Sequence, residues 1–124
     1  FVHAVLLGAA MLAVVAALGV PGTSGLADGA ARNALMQVLG IGAFVHLALV
    51  AVEQTLTHTT AHARAAATAM RSGAWALPFR ASIVLLAVCA LAPSLGVWSA
   101  LAGLAGVLLY EHAYVQAGQS VPLA

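Results

Sequence analysis

Ionisable side chains are so scarce in this chain that each can be weighed singly: four arginines, three acids, five histidines and no lysine. His46 lies inside the uncharged run AFVHLALV, and Glu53 follows seven residues later. Seven residues make two helical turns, so both side chains project from one face, about 10 Å apart along the axis. That is too far for direct contact and within reach of a bridging water or a side chain from a neighbouring helix. An imidazole at mid-depth leading to a carboxylate at the edge of an apolar layer has the chemistry of a proton path. The alternative is an interhelical hydrogen bond for His46 and a plain helix-end position for Glu53.

Arg80, Glu111 and His112 fall at the ends of other apolar runs, and His3 opens the first. If successive runs alternate direction, these residues and Glu53 reach the same end of the molecule. Carboxylates and a guanidinium at one depth are expected to pair, because an unpaired charge there costs several kcal/mol. A pocket for a lipid head group or a quinone ring needs such a polar rim beside apolar walls. Alternatively, charges collect at helix ends because water is there. His58 and His62 stand four apart in LTHTTAHAR, but no third ligand is near them, so no metal is expected. A solvated amphipathic segment explains that pair. A b-type haem needs two axial histidines at matching depth on facing helices. His46 at mid-depth is expected to find none, with His3 and His112 near the edge, so no haem is expected either.

The elements that must hold these residues follow from composition. The chain has 124 residues, 64% apolar and 6% charged, with mean hydropathy +1.08. Soluble domains carry about a quarter charged residues. A soluble enzyme, a nucleic-acid binder or a disordered tail is therefore excluded, the second also because no cation cluster exists to track phosphates. Cys89 stands alone, which rules out an intrachain disulfide and a cysteine cage. The expected fold is all-α: a polytopic membrane protein with four transmembrane helices in one bundle, spanning about 1–20, 33–53, 77–92 and 96–115. Pro21-Gly22 stops the first span, and residues 21–33 read as a water-exposed loop. Pro93 with Ser94 and Gly96 divides the uncharged stretch 81–110, which would otherwise be one long kinked helix. The Ala-rich stretch with Arg64 and Arg71 reads as a helix at the interface. With Arg80, those arginines place that connection and both termini in the cytoplasm. Trp75, Phe79, Tyr110 and Tyr114 fit an aromatic belt at the same face. Small residues every fourth position (Ala9, Ala13, Ala17; Ser99, Gly103; Ala102, Gly106) are expected to let helices approach closely. The chain opens on Phe1 with neither a basic start nor a cleavage site, and is expected to be an internal or C-terminal portion of a longer polypeptide.

The run Tyr110-Glu111-His112-Ala113-Tyr114-Val115-Gln116-Ala117-Gly118-Gln119-Ser120-Val121-Pro122-Leu123 resembles the ending of the NrfD/polysulfide-reductase type of integral membrane subunit. His58-Thr59-Thr60-Ala61-His62-Ala63-Arg64, followed by an Ala-rich helix and Gly73, is similar to a stretch between two spans of that family. The resemblance covers the second half of the chain well and the first half loosely. It implies a quinone-interacting anchor in a bacterial cytoplasmic membrane, itself a non-catalytic subunit of an oxidoreductase complex. Such subunits exchange electrons between a quinone or menaquinol pool and an iron–sulfur subunit, which is attached to a molybdopterin-type catalytic subunit. They carry no haem. Family members have eight or more spans, so this chain is expected to be the C-terminal half. The family's quinone site is built largely in the other half, so no ligand residue is carried over. His46, Glu53, Arg80, Glu111 and His112 stand as proton or quinone pathway residues on depth and burial alone. Two other functions compete with this one. A small four-helix secondary transporter would need a carboxylate at mid-depth, whereas Glu53 and Glu111 are expected at the edge. A purely structural tether would tolerate nearly every polar substitution.

Overall fold

A computed structural model describes residues 1–56 and 60–121. Among these the chain is all-α, with seven helices and no strand: α1 (Val2–Ala17), α2 (Ser24–Ala27), α3 (Gly29–Thr55), α4 (Ala61–Arg71), α5 (Ala76–Ala90), α6 (Ala92–Leu95) and α7 (Val97–Ser120). Runs of Ala and Leu favour helix, and the punctuation falls where backbone chemistry dictates. Gly19 at φ +69° ends α1 just ahead of Pro21. Gly96 at φ +59° lets the chain reverse between α6 and α7, so residues 81–110 form a hairpin rather than one kinked rod. Thr60 caps α4 by accepting from the Ala63 amide at 3.1 Å. The expected loop 21–33 is partly helical. Asp28 in extended backbone separates α2 from α3, and Ala30, Ala31 and Arg32, all good helix formers, carry α3 back to Gly29.

The long helices run antiparallel to their neighbours, and glycines mark where they touch. A Cβ at Gly103 would stand 2.6 Å from Cys89 Sγ, and one at Gly106 would stand 3.0 Å from Leu86 Cγ, which sets α7 against α5. Gly42 faces Leu6, which sets α3 against α1, and Gly40 faces the Ala90 carbonyl and the Pro93 ring. One core is built from Leu6, Leu39, Leu86, Cys89 and Val107. A second lies nearer the α4 end and contains Val50, Met70, Phe79, Tyr110 and Ala117. Of the small-residue positions, Ala9, Ala13, Ser99, Gly103, Ala102 and Gly106 are buried as expected, while Ala16 replaces Ala17 in α1.

Four membrane spans are not what the helices supply. By length and composition α3 alone qualifies, or two spans if α4 and α5, bent by 69° at their junction, count as one. The reasons are physical. α1 has 16 residues, about 24 Å of helix, short of the roughly 30 Å hydrocarbon layer, and α5 has 15. α7 is long enough but carries Glu111, His112, Gln116 and Gln119 in its second half. The outer surface is nonetheless strongly apolar, with Ile41, Phe44, Val84, Trp98 and Leu108 all more than half exposed.

Candidate functional site: a polar chamber between three helices

The antiparallel register of α1 and α3 brings His3 against His46, with His3 Nε2 2.8 Å from His46 Nδ1. The other nitrogen of His3 lies 2.5 Å from Glu111 Oε1 on α7. Two turns of α3 beyond His46, Glu53 Oε2 accepts from the Tyr110 hydroxyl at 3.1 Å. The Tyr110 ring stands edge-on to both imidazoles, its centroid 4.8 Å from that of His46 and 5.9 Å from that of His3. Tyr110 is thus the neighbouring side chain that spans the gap between His46 and Glu53. These five groups line a chamber of about 390 Å³, walled on its apolar side by Val2, Leu49 and Val50. His46 is 2% exposed, whereas the His3 and Glu111 side chains are 35% and 46% exposed. The cluster therefore runs from a half-open mouth to a closed interior.

Donor bookkeeping limits the protonation states. With Glu111 ionised, His3 donates from Nδ1. The bond between the rings then carries its proton on either side. In one state His3 is an imidazolium donating to both neighbours, and His46 is neutral with its proton on Nε2. In the other His3 is neutral, accepting from His46 Nδ1–H. The two states differ by one proton, lost from His46 Nε2. That atom is buried and has no hydrogen-bond partner among the described residues, an arrangement that costs about 1–3 kcal/mol whenever the nitrogen carries a hydrogen. A ligand oxygen or a water at that nitrogen would remove the penalty.

His46, Glu53 and Glu111 are brought together as their depth requires, but two other expected residues are not. Arg80 makes no pair with either carboxylate. Its exposed guanidinium donates from Nη2 to the Arg71 carbonyl at 3.2 Å, because the first turn of α5 faces the end of α4 rather than the chamber. His112 is exposed and lies against Trp75, ring centroids 5.6 Å apart, about 100° around the α7 axis from Glu111. His3 was expected at the edge, remote from His46; it is instead that residue's partner. The rings are in direct hydrogen-bond contact, with no space for a third group between those two nitrogens. Phe79 and Tyr110 belong to the core, at 9% and 5% exposure, not to an exposed aromatic belt. Tyr110 is the chamber residue that sequence patterning misses, although a tyrosine and a glutamate side by side after a long apolar run were the available signal. His58 lies outside the described residues, and no cluster of three or more metal-ligating side chains occurs among those described.

Comparison with known protein families, curated proteins and solved structures gives no match.

Proposed function

We propose that the chain is a quinone-interacting membrane anchor of an oxidoreductase complex, whose chamber holds a quinone ring and handles its protons. The observation that carries this reading is the chamber: three helices of a very apolar chain deliver two histidines, two carboxylates and two tyrosines to one space. Ionisable groups among apolar helices are costly and mark functional sites. The chamber's volume lies within the range of small-molecule sites, and its few polar groups opposite apolar walls suit a flat ring with two oxygens. The groups able to hold those oxygens are His46, whose Nε2 lacks a partner, and the Tyr110 hydroxyl, which gives its hydrogen to Glu53 and can accept from a quinol O–H. A quinol, when oxidised, supplies two electrons and two protons. Glu53 takes up a proton through Tyr110, and the His46–His3 pair carries another toward Glu111 at the mouth. By resemblance, the electrons go to an iron–sulfur subunit bound to a molybdopterin-type catalytic subunit.

The same proposal sets α1, α3, α5 and α7 in a bacterial cytoplasmic membrane, with α3 crossing it and the shorter helices accommodated by local thinning. The exposed apolar residues support this, since such extensive apolar surface is foreign to water-soluble monomers. A wholly apolar groove between α1 and α3, past Val5, Ile41 and Gly42, shares Phe1 and Val2 with the chamber. That continuity suits an amphiphile with its ring inside and its tail in lipid. The test is equilibrium binding of menadione, a tail-less naphthoquinone, to the purified full chain in detergent. His46→Ala is expected to weaken binding about tenfold, the equivalent of one lost hydrogen bond, and Arg80→Ala to leave it unchanged. No binding to the native chain, or equal binding to His46→Ala, would overturn the proposal.

A further inference from the structure

We infer that a second cavity, beneath α4, is the outlet of the chamber, where a proton leaving through Glu53 passes to His62 and then to water. The inference rests on reading the chamber as a proton-handling site. The second cavity, about 260 Å³, lies between the end of α3, α4 and α7, and it meets the chamber at Glu53 and Tyr114. Glu53 therefore stands in the partition. On one side its Oε2 accepts from Tyr110; on the other its side chain faces the space under α4.

The composition of that space suits water. Ala63, Ala66, Ala67 and Gly118 leave it open, and Gln54 and His62 stand at its edge beside Glu53. Gln54 Oε1 and His62 Nδ1 are both buried without a partner among the described residues. The volume holds several water molecules, and a small turn of either side chain would expose its orphaned atom to them. The roof is pinned at the Arg71 end of α4. Arg71 donates to the Gln54 carbonyl at 3.4 Å, tying α4 to α3, and Arg80 donates to the Arg71 carbonyl, tying α5 to α4. Protonated Glu53 gives its proton through water to His62, returning to carboxylate. His62 becomes an imidazolium and releases the proton to solvent, returning to its starting form.

The full chain in detergent is given a pH jump, and proton flux between Glu53 and water is read as the rate at which the Glu53 carboxyl infrared band responds. Glu53→Gln is expected to abolish the band. His62→Ala is expected to slow its response about tenfold, the lower range of a positioned acid–base group. Gly118→Leu should slow it similarly by filling the cavity, where a Cβ at this position meets no atom within 4 Å. A native rate in both outlet variants, with the band lost in Glu53→Gln, overturns the outlet and leaves the chamber's role standing. Absence of a response in the native chain overturns both.

Discussion

Replacing Gly103 with alanine should unseat α7 from α5. The new Cβ would stand 2.6 Å from Cys89 Sγ, 3.5 Å from Cys89 Cβ and 3.6 Å from Leu6 Cδ2. Ordinary contacts need about 3.5–4.0 Å, so the sulfur must move by about 1 Å. Cys89 and Leu6 are both fully buried, which leaves no free space to absorb the shift. Overpacking of this kind costs about 1–3 kcal/mol. Cys89→Ala removes the obstructing sulfur and alone costs about 1 kcal/mol for the void it leaves. In the double variant the remaining contacts at 3.5 and 3.6 Å are ordinary ones, and the added methyl occupies part of that void. Stability should then return to within about 1 kcal/mol of native, whereas independent effects would add to about 2–4 kcal/mol. Denaturant unfolding of the four proteins in detergent, followed by circular dichroism, measures the coupling. Additive losses would refute the account, because the glycine would then not be serving that contact. Tyr110 lies seven residues, two turns, along α7 from Gly103, so menadione binding should fall in Gly103→Ala and recover in the double variant.

Tyr110→Phe removes the donor to Glu53 Oε2 and should cost about 1.5–3 kcal/mol, the worth of a hydrogen bond to a charged group; unchanged unfolding would mean the bond carries no weight. Glu111→Gln should leave stability within about 1 kcal/mol of native, since the His3–Glu111 pair is half exposed, yet slow proton exchange between the His46 imidazole and water, read by NMR. Exchange at the native rate would remove Glu111 from the route. Gly96→Ala forces an L side chain to φ +59° and should cost about 1–3 kcal/mol, while Gly118→Ala, inside α7 with open space around its Cβ, should stabilise by up to about 1 kcal/mol, the propensity gain of alanine over glycine. Equal effects of these two would show that backbone conformation at the α6–α7 reversal is not limiting.

Much of the scaffold was legible because apolar runs bounded by Pro and Gly leave few choices. The runs at 33–53, 77–92 and 96–115 became Gly29–Thr55, Ala76–Ala90 and Val97–Ser120, with the break near Pro93. How many of these helices can cross a bilayer was not legible. That depends on where each helix stops, and α1 and α5 stop several residues short of a full crossing. At the site, His46 and Glu53 declared themselves because a titratable group in an apolar run is rare. His3 and Tyr110 did not, since their meeting depends on the register between helices rather than on spacing within one. Arg80 misled for the complementary reason. Its depth was right, but its direction around the α5 axis, toward the Arg71 carbonyl, is a property of packing.

The contact between His3 and His46 also imposes a sense of order on traffic through it. Once a proton has hopped across the bond and another has departed from the far nitrogen, neither ring is ready to repeat the hop until the starting arrangement is restored. His46, wedged against Tyr110, cannot easily swivel. Resetting requires both rings to exchange the nitrogen that carries the proton, so the slower of the two, the wedged His46, would set the tempo of every cycle.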